Sequence, residues 1–158
     1  MTTENNTFDS LTIKLANKEQ DYKEILDYSI DAFSDSPDFS WNMDALKQEV
    51  KDGWQVAAVL SQGEIIAAIF YKIDKEGKKK VLSTKNTAIK FNHQGSGHSH
   101  SIKEYFEELA RENKADIIRH YCRIDNFRAY SLNESHSYKK TPKTFDNGLI
   151  VEWEKSVK

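Results

Sequence analysis

The sequence has few of the features that mark secreted or membrane-spanning proteins. It contains one cysteine, Cys122, in 158 residues, which excludes a disulfide framework within the chain and indicates a reducing compartment. The longest apolar run, Ile65 to Tyr71, is too short to cross a bilayer. The first ten residues lack the basic start and apolar stretch of a secretory signal. We therefore expect a cytoplasmic protein.

Strong net charge and linker-like composition are also absent. The formal net charge is -2, so no overall field attracts nucleic acid or an anionic membrane, and we expect neither as a partner. With only two prolines and six glycines, no linker divides the chain, and its length suits one hydrophobic core. The sequence predicts a disordered N-terminal tail over residues 1–10 and a single domain over residues 11–158.

The periodicity of apolar residues predicts an α+β fold. Helical spacing appears in two early segments, returns from Ser101 and appears again after Asn126, while alternating or β-rich runs lie between. Helices grouped early, a central meander and one β-α-β unit favour a mixed, mostly antiparallel sheet with flanking helices. The predicted strands cover residues 11–15, 54–60, 65–73, 81–91, 115–123, 137–141 and 149–155, and the predicted helices cover 22–33, 42–52, 101–110 and 126–135.

A glycine-containing segment follows the third long strand. Residues 89–99 read Ile-Lys-Phe-Asn-His-Gln-Gly-Ser-Gly-His-Ser, and an amphipathic helix follows them. A turn at a helix N-terminus presents successive backbone N–H groups to an anion. Gly95 and Gly97 would let the backbone approach a phosphate closely. Taken by its spacing alone, the segment is more typical of a plain tight turn.

Two segments together resemble the GNAT N-acetyltransferase superfamily. In the acyl-CoA loop of that family, a strand valine or isoleucine precedes Gln/Arg-x-x-Gly-x-Gly/Ala; a downstream Asn-x-x-Ala segment and a terminal Gly-Phe follow. The positions that match the loop are Ile89, Gln94, Gly97 and Ser99. The positions that match the downstream segments are Asn126, Ala129 and the pair Ser137-Tyr138.

The resemblance implies the acyl-CoA N-acyltransferase architecture and acetyl-CoA as co-substrate. Acetyl-CoA would lie in the gap between two splayed parallel strands, and the acetyl group would pass by direct attack to the amine of a small molecule or peptide. The family also allows a homodimer. The residues that would bind the co-substrate are Ala88, Ile89, Gln94, Gly95, Ser96, Gly97, His98, Ser99 and Asn126.

The sequence departs from the family at the position of the general acid. Many members carry a tyrosine seven positions after the asparagine of the Asn-x-x-Ala segment. In this sequence that position is Asn133. An amide is not a general acid near neutral pH, so Tyr130 and Tyr138 are the nearest substitutes. The candidate catalytic residues are therefore Tyr130, Asn133 and Tyr138. The alternative hypothesis is a catalytically weak or inactive acyl-CoA-binding sensor.

Histidines and aspartates supply the remaining candidates. His93, His98 and His100 share the loop, but no cysteine or carboxylate at ligand spacing accompanies them, so we expect no metal. His120 and His136 could carry protons or be purely structural. Three aspartates lie near the connection between the first two helices: Asp31, Asp35 and Asp38. They could attract a cationic acceptor or simply form a solvated turn.

Overall fold

The computed structural model describes residues 5–8, 10–32, 42–86 and 97–157. Contacts divide the chain into two compact units, one formed by Met1–Tyr71 and Asn86–His98 and the other by Lys72–Lys85 and Ser99–Lys158. The helices are α1 (Glu19–Ala32), α2 (Met43–Lys51), α3 (His98–Glu112) and α4 (Phe127–Ser135). The strands are β1 (Asn5–Phe8), β2 (Leu11–Leu15), β3 (Gln55–Ser61), β4 (Glu64–Glu76), β5 (Lys79–Asn86), β6 (Ile117–Arg123), β7 (Lys139–Phe145) and β8 (Ile150–Ser156). The single domain stays a prediction.

The first unit is an antiparallel meander with two helices. Its strands follow the order β1-β2-β3-β4, and each neighbouring pair is antiparallel. Ile25 of α1 and Leu46 of α2 belong to one buried cluster with side chains of β3 and β4, among them Val56 and Phe70. Each helix therefore contributes a residue of its predicted apolar stripe to the core of this unit.

The N-terminal segment corrects one expectation. The first ten residues were expected to be disordered, but Asn5–Phe8 forms β1 and pairs with β2. Its sequence, Asn-Asn-Thr-Phe, has no alternation of apolar and polar residues. Backbone hydrogen bonds to β2 are independent of that alternation, which explains why the periodicity missed the strand.

The second unit contains the only parallel pair among the described strands. The last part of β4 belongs to this unit, and the strand order continues β5-β6-β8-β7. β5 and β6 run parallel, whereas β8 is antiparallel to both β6 and β7. This combination of strand pairings and four helices confirms the predicted α+β class with a mixed, mostly antiparallel sheet.

Local sequence accounts for several element boundaries. Asn42 is the N-cap of α2, and its Oδ1 accepts the N–H of Ala45 at 2.8 Å. Gln62 and Gly63 both have positive φ, as a two-residue hairpin requires. The strand predicted over 137–141 begins and ends later, at Lys139–Phe145. None of the helices in the described ranges is both long and apolar enough to span a membrane.

Candidate functional site

The parallel pairing of β5 and β6 ends before either strand does. Paired residues run from Val81 and Ile117 to Thr84 and His120. β5 nevertheless continues to Asn86, and β6 continues to Arg123. The two strands therefore leave the parallel register at Thr84 and His120, at their C-terminal ends. Carboxyl ends of parallel strands are where α/β proteins commonly bind ligands.

Two hydrogen bonds fix the point where the register ends. The Thr84 hydroxyl donates to the carbonyl oxygen of Arg119 at 2.7 Å, and its Oγ1 lies 3.2 Å from Nδ1 of His120. Both the threonine and the histidine are buried. Burial, followed by the charge of Lys103, holds the pKa of His120 well below its usual value. His120 is therefore a neutral imidazole at neutral pH, as a structural histidine would be.

The glycine loop is described only at its end. Ala88, Ile89, Gln94, Gly95 and Ser96 lie outside the described residues, so their predicted roles stay predictions. Gly97 has φ +83° and directly precedes α3, whose first residues are His98 and Ser99. A Cβ atom at Gly97 would meet no atom of the described residues within 4 Å, but this backbone conformation is costly for any other residue.

Asn126 has a structural role in addition to its predicted binding role. It is the N-cap of α4, and its Oδ1 accepts the N–H of Ala129 at 3.1 Å. The Asn-x-x-Ala spacing thus corresponds to a helix cap here. Its amide oxygen has a second lone pair, so this cap does not prevent a bond from the Asn126 side chain to a pantetheine arm.

The three predicted catalytic residues all have buried polar atoms that lack a hydrogen-bond partner in the described part of the chain. These atoms are the hydroxyls of Tyr130 and Tyr138 and both amide atoms of Asn133. The Asn133 residue is 0 % exposed. Burial raises the pKa of both phenols, with nearby acidic groups acting in the same direction. Native proteins satisfy nearly all buried polar groups, so this set is unusual.

These residues share one face of the sheet of the second unit. Tyr130 contacts the indole of Trp153 on β8, with ring centroids 5.1 Å apart. The backbone N–H of Tyr138 donates to the carbonyl oxygen of Asn133 at 2.9 Å. The indole nitrogen of Trp153 is likewise buried without a partner. The structure thus brings together the residues that the sequence had placed near the missing acid.

Lys103 is the member of this cluster that the sequence analysis missed. It lies on α3, is 1 % exposed, and its Nζ has no hydrogen-bond partner. Nζ is 4.2 Å from the centroid of the Tyr138 ring. Burial lowers the pKa of Lys103 to about 7, although Cys122 and Glu107 oppose the shift.

We call Lys103 and the four unsatisfied side chains on this sheet face the buried polar cluster. Its members are Lys103, Tyr130, Asn133, Tyr138 and Trp153. A signal for Lys103 was present in the sequence, because it lies three and seven positions before Phe106 and Ala110, which are both fully buried.

The opposite face of the same strands carries charges that are paired. Arg119 of β6 bonds Glu76 and, at 2.6 Å, Glu154 of β8. Its Nε also lies 3.9 Å from Glu152, which is 2 % exposed. These ion pairs satisfy one another, so this face has a structural explanation that the buried polar cluster lacks.

His100 and His136 lie side by side. Nδ1 of His100 lies 2.7 Å from Nε2 of His136. Burial and the neighbouring His100 lower the pKa of His136. Among the described residues, no group of three or more metal-binding side chains occurs. His93, Asp35 and Asp38 lie outside the described residues, and Asp31 lies on α1.

Comparison with known proteins supports the fold through structure rather than sequence. No protein-family model matches the chain, and no curated protein matches it significantly. Solved structures do match. RimL, a ribosomal L7/L12 alpha-N-protein acetyltransferase, aligns with a TM-score of 0.75 and 14 % identity over 99 % of this chain and 96 % of its own.

Two further matches are structures with a bound cofactor. The yncA protein of Salmonella typhimurium, a putative acetyltransferase solved with acetyl-CoA, aligns with a TM-score of 0.66 and 13 % identity over 95 % of each chain. The NatC complex bound to Gag peptide and CoA aligns with a TM-score of 0.67 and 13 % identity over 93 % of this chain and 98 % of that chain. The protein therefore has the GNAT acetyltransferase fold, as its sequence motifs predicted.

Proposed function

We propose that the protein is an acetyl-CoA-dependent N-acetyltransferase that transfers the acetyl group to an amine by direct attack. The observation that carries the proposal is the end of the parallel register at Thr84 and His120, beside a sheet face with five unsatisfied side chains. A thioester arm inserted between the diverging strands could bond to backbone groups there. The fold shared with acetyltransferases supports the same assignment.

The buried polar cluster suits a ligand that carries amide and carbonyl groups. Asn133 has a donor and an acceptor, and the hydroxyl of Tyr138 can do either, yet none of these atoms has a partner among the residues that the structure describes. Leaving such groups unpaired costs free energy, which a bound pantetheine arm would recover. In this proposal the backbone N–H groups of Gly95 to Ser99 hold the pyrophosphate, and the side chain of Asn126 bonds the pantetheine arm, as the family resemblance implies.

The chemistry needs an amine that has lost its proton. Its nitrogen attacks the thioester carbonyl, a C–N bond forms, and the C–S bond breaks. The nitrogen releases a proton to water, and the departing CoA thiolate takes up a proton to become a thiol. The protein contributes orientation of the two reactants and, by resemblance, a backbone N–H near Ile89 for the oxyanion.

The acceptor class in this proposal is a primary amine, with the N-terminus of a peptide as one candidate. Two structures with the same fold are described by protein or peptide substrates: RimL by ribosomal L7/L12, and NatC by a Gag peptide. Small-molecule amines are also candidate acceptors and are included in the experiment below. Cytoplasmic location and a homodimer also stay predictions.

A second candidate function rests on Asn133. Because this amide occupies the position where many family members have a tyrosine, the protein could bind acyl-CoA as a sensor without turnover. The two candidates predict the same CoA affinity and differ in product formation.

Thiol release from acetyl-CoA, measured with a panel of amines, tests the proposal. The panel should contain peptides with different N-terminal residues, polyamines and amino acids, each compared with a reaction that lacks the acceptor. We expect acceptor-dependent thiol release. CoA binding by calorimetry without any acceptor-dependent release would favour the sensor, and absence of CoA binding would contradict both candidates.

A further inference from the structure

Lys103 combines properties that a purely structural lysine does not have. Its side chain is 1 % exposed, and its Nζ makes no hydrogen bond to any residue in the ranges that the structure describes. A lysine that serves only to cover apolar surface keeps its amine in water. A buried amine normally has a carboxylate partner. Lys103 has only the face of the Tyr138 ring, 4.2 Å from Nζ.

The position of Lys103 relates it to the end of the β5–β6 register. Its charge acts on His120 and on Cys122, two residues that project from the same face of β6. His120 is the last β6 residue paired with β5. The unpaired amine therefore lies within electrostatic range of the last β6 residue that pairs with β5, at the end of the strands where the proposed function places the thioester.

The groups around Lys103 come from several elements. Cys122 and His120 face it from β6, Glu107 from α3, and Lys155 from β8, while Tyr138 lies under it. Glu107 is engaged by Lys155 at 3.2 Å and lies 3.7 Å from His136. None of these groups bonds to the amine itself.

We propose that Lys103 is the catalytic proton donor to the CoA sulfur. It would perform the function of the tyrosine that many family members have at the position of Asn133. The inference rests on the proposed acetyl transfer. As the C–S bond breaks, the sulfur takes a proton from the Lys103 ammonium, leaving CoA thiol and a neutral amine. The acceptor nitrogen has meanwhile lost its own proton to water, and Lys103 regains a proton from solvent when the products leave.

The acidity of Lys103 suits this step. Burial brings its pKa to about 7, below the usual value of a thiol, about 8.5. Proton transfer to the thiolate is then downhill, and at neutral pH a substantial fraction of the enzyme carries the proton. The phenols of Tyr130 and Tyr138 have raised pKa values, which makes them weaker donors.

The test compares Lys103→Met and Lys103→Gln with the parent enzyme. Methionine keeps much of the volume without a proton, and glutamine keeps a polar end without an ammonium. Lys139→Met, an exposed lysine on β7, is the matched control. Thiol release is measured with saturating acetyl-CoA and a weakly basic amine that is already neutral at pH 7, across a range of about pH 6 to 9.

We expect both Lys103 variants to lose about 100-fold in kcat, near the lower end of what general acid catalysis supplies. CoA affinity should change by less than about two-fold, because the amine acts on the leaving sulfur rather than on binding. In the parent, kcat should fall as Lys103 loses its proton above about pH 7, and that decline should disappear in both variants. Lys139→Met should behave as the parent does.

Three outcomes overturn the inference and remain distinguishable. An active parent with unchanged kcat in both Lys103 variants removes the donor role and leaves the proposed function intact. A larger loss in Tyr138→Phe than in Lys103→Met, with the pH decline retained, assigns the proton to the phenol. A parent that releases no thiol with any amine contradicts the proposed function itself, and the donor role with it.

Discussion

Replacing Lys103 with methionine should stabilise the folded protein, because it removes a buried amine that has no hydrogen-bond partner. Burial lowers the pKa of this amine from the usual 10.5 to about 7. A tenfold change in acid dissociation is worth about 1.4 kcal/mol, so at pH 7 burial of the amine costs the folded state at most about 4.5 kcal/mol.

The measured gain should be smaller than this limit. Methionine loses the contact of the ammonium with the Tyr138 ring, which can be worth about 2 kcal/mol when desolvated. The thioether recovers part of that contact against the same ring. We therefore expect Lys103→Met to raise the free energy of unfolding by about 2 kcal/mol at pH 7.

The stability difference between Lys103→Met and the parent should depend on pH, because the pKa of Lys103 differs between the folded and unfolded chain. Between pH 7 and 10.5 the unfolded chain holds a proton on this amine that the folded chain has released. The contribution of Lys103 to stability therefore becomes less unfavourable as pH rises through that window. The advantage of Lys103→Met should shrink from pH 7 towards pH 10.5.

Urea unfolding at pH 7 and at about pH 9.5 measures both effects. The control is Lys139→Met, which should stay within about 0.5 kcal/mol of the parent at both values. A Lys103→Met variant less stable than the parent at pH 7, or a gain that is the same at both pH values, would refute the reasoning. Combined with lost turnover, a stabilised variant would identify Lys103 as a residue kept for activity at the expense of stability.

Three further substitutions test the site. Gly97→Asp should weaken CoA binding at least about tenfold by placing a carboxylate beside the pyrophosphate, whereas Gly77→Asp, at a turn glycine with φ +62°, should not. Asn126→Ala should lower the free energy of unfolding by about 1 kcal/mol through loss of the α4 cap, and it should also raise the apparent KM for acetyl-CoA several-fold. Asn42→Ala removes the equivalent cap of α2 and should cost stability alone. Tyr138→Phe should lower kcat, but by less than Lys103→Met.

Calorimetry, unfolding and steady-state rates separate the outcomes. Unchanged CoA affinity in a folded Gly97→Asp variant would remove the pyrophosphate assignment. Equal effects of Asn126→Ala and Asn42→Ala on KM would leave Asn126 with its capping role only.

The sequence predicted the order of elements because most of them bury one face. The stripe that contains Ile25 and the β-rich run that contains Phe70 both point into the core, and hydrophobic periodicity reports such burial directly. β1 escaped prediction because Asn5–Phe8 pairs through its backbone, and nothing in its side chains encodes the pairing.

The site was predictable in part. The family position of the general acid indicated Asn133, and Tyr130 and Tyr138 were the phenols nearest to it in sequence. The structure shows unsatisfied polar atoms in all three among the described residues, and their catalytic roles stay predictions. Lys103 was missed because a charged residue on a helix is normally solvated, so a lysine at a buried helical position is counted as polar surface. Only the tertiary fold shows that its amine ends beside Tyr138 with no partner.

Mass-spectrometric detection of the acetylated amine tests the central claim most directly. The protein would be incubated with acetyl-CoA labelled in its acetyl group and with the amine panel, and the product compared with the thiol released. We predict a labelled acetamide on at least one acceptor, formed in equal amount to free CoA. CoA binding with no labelled product on any amine would contradict acetyl transfer and favour a sensor.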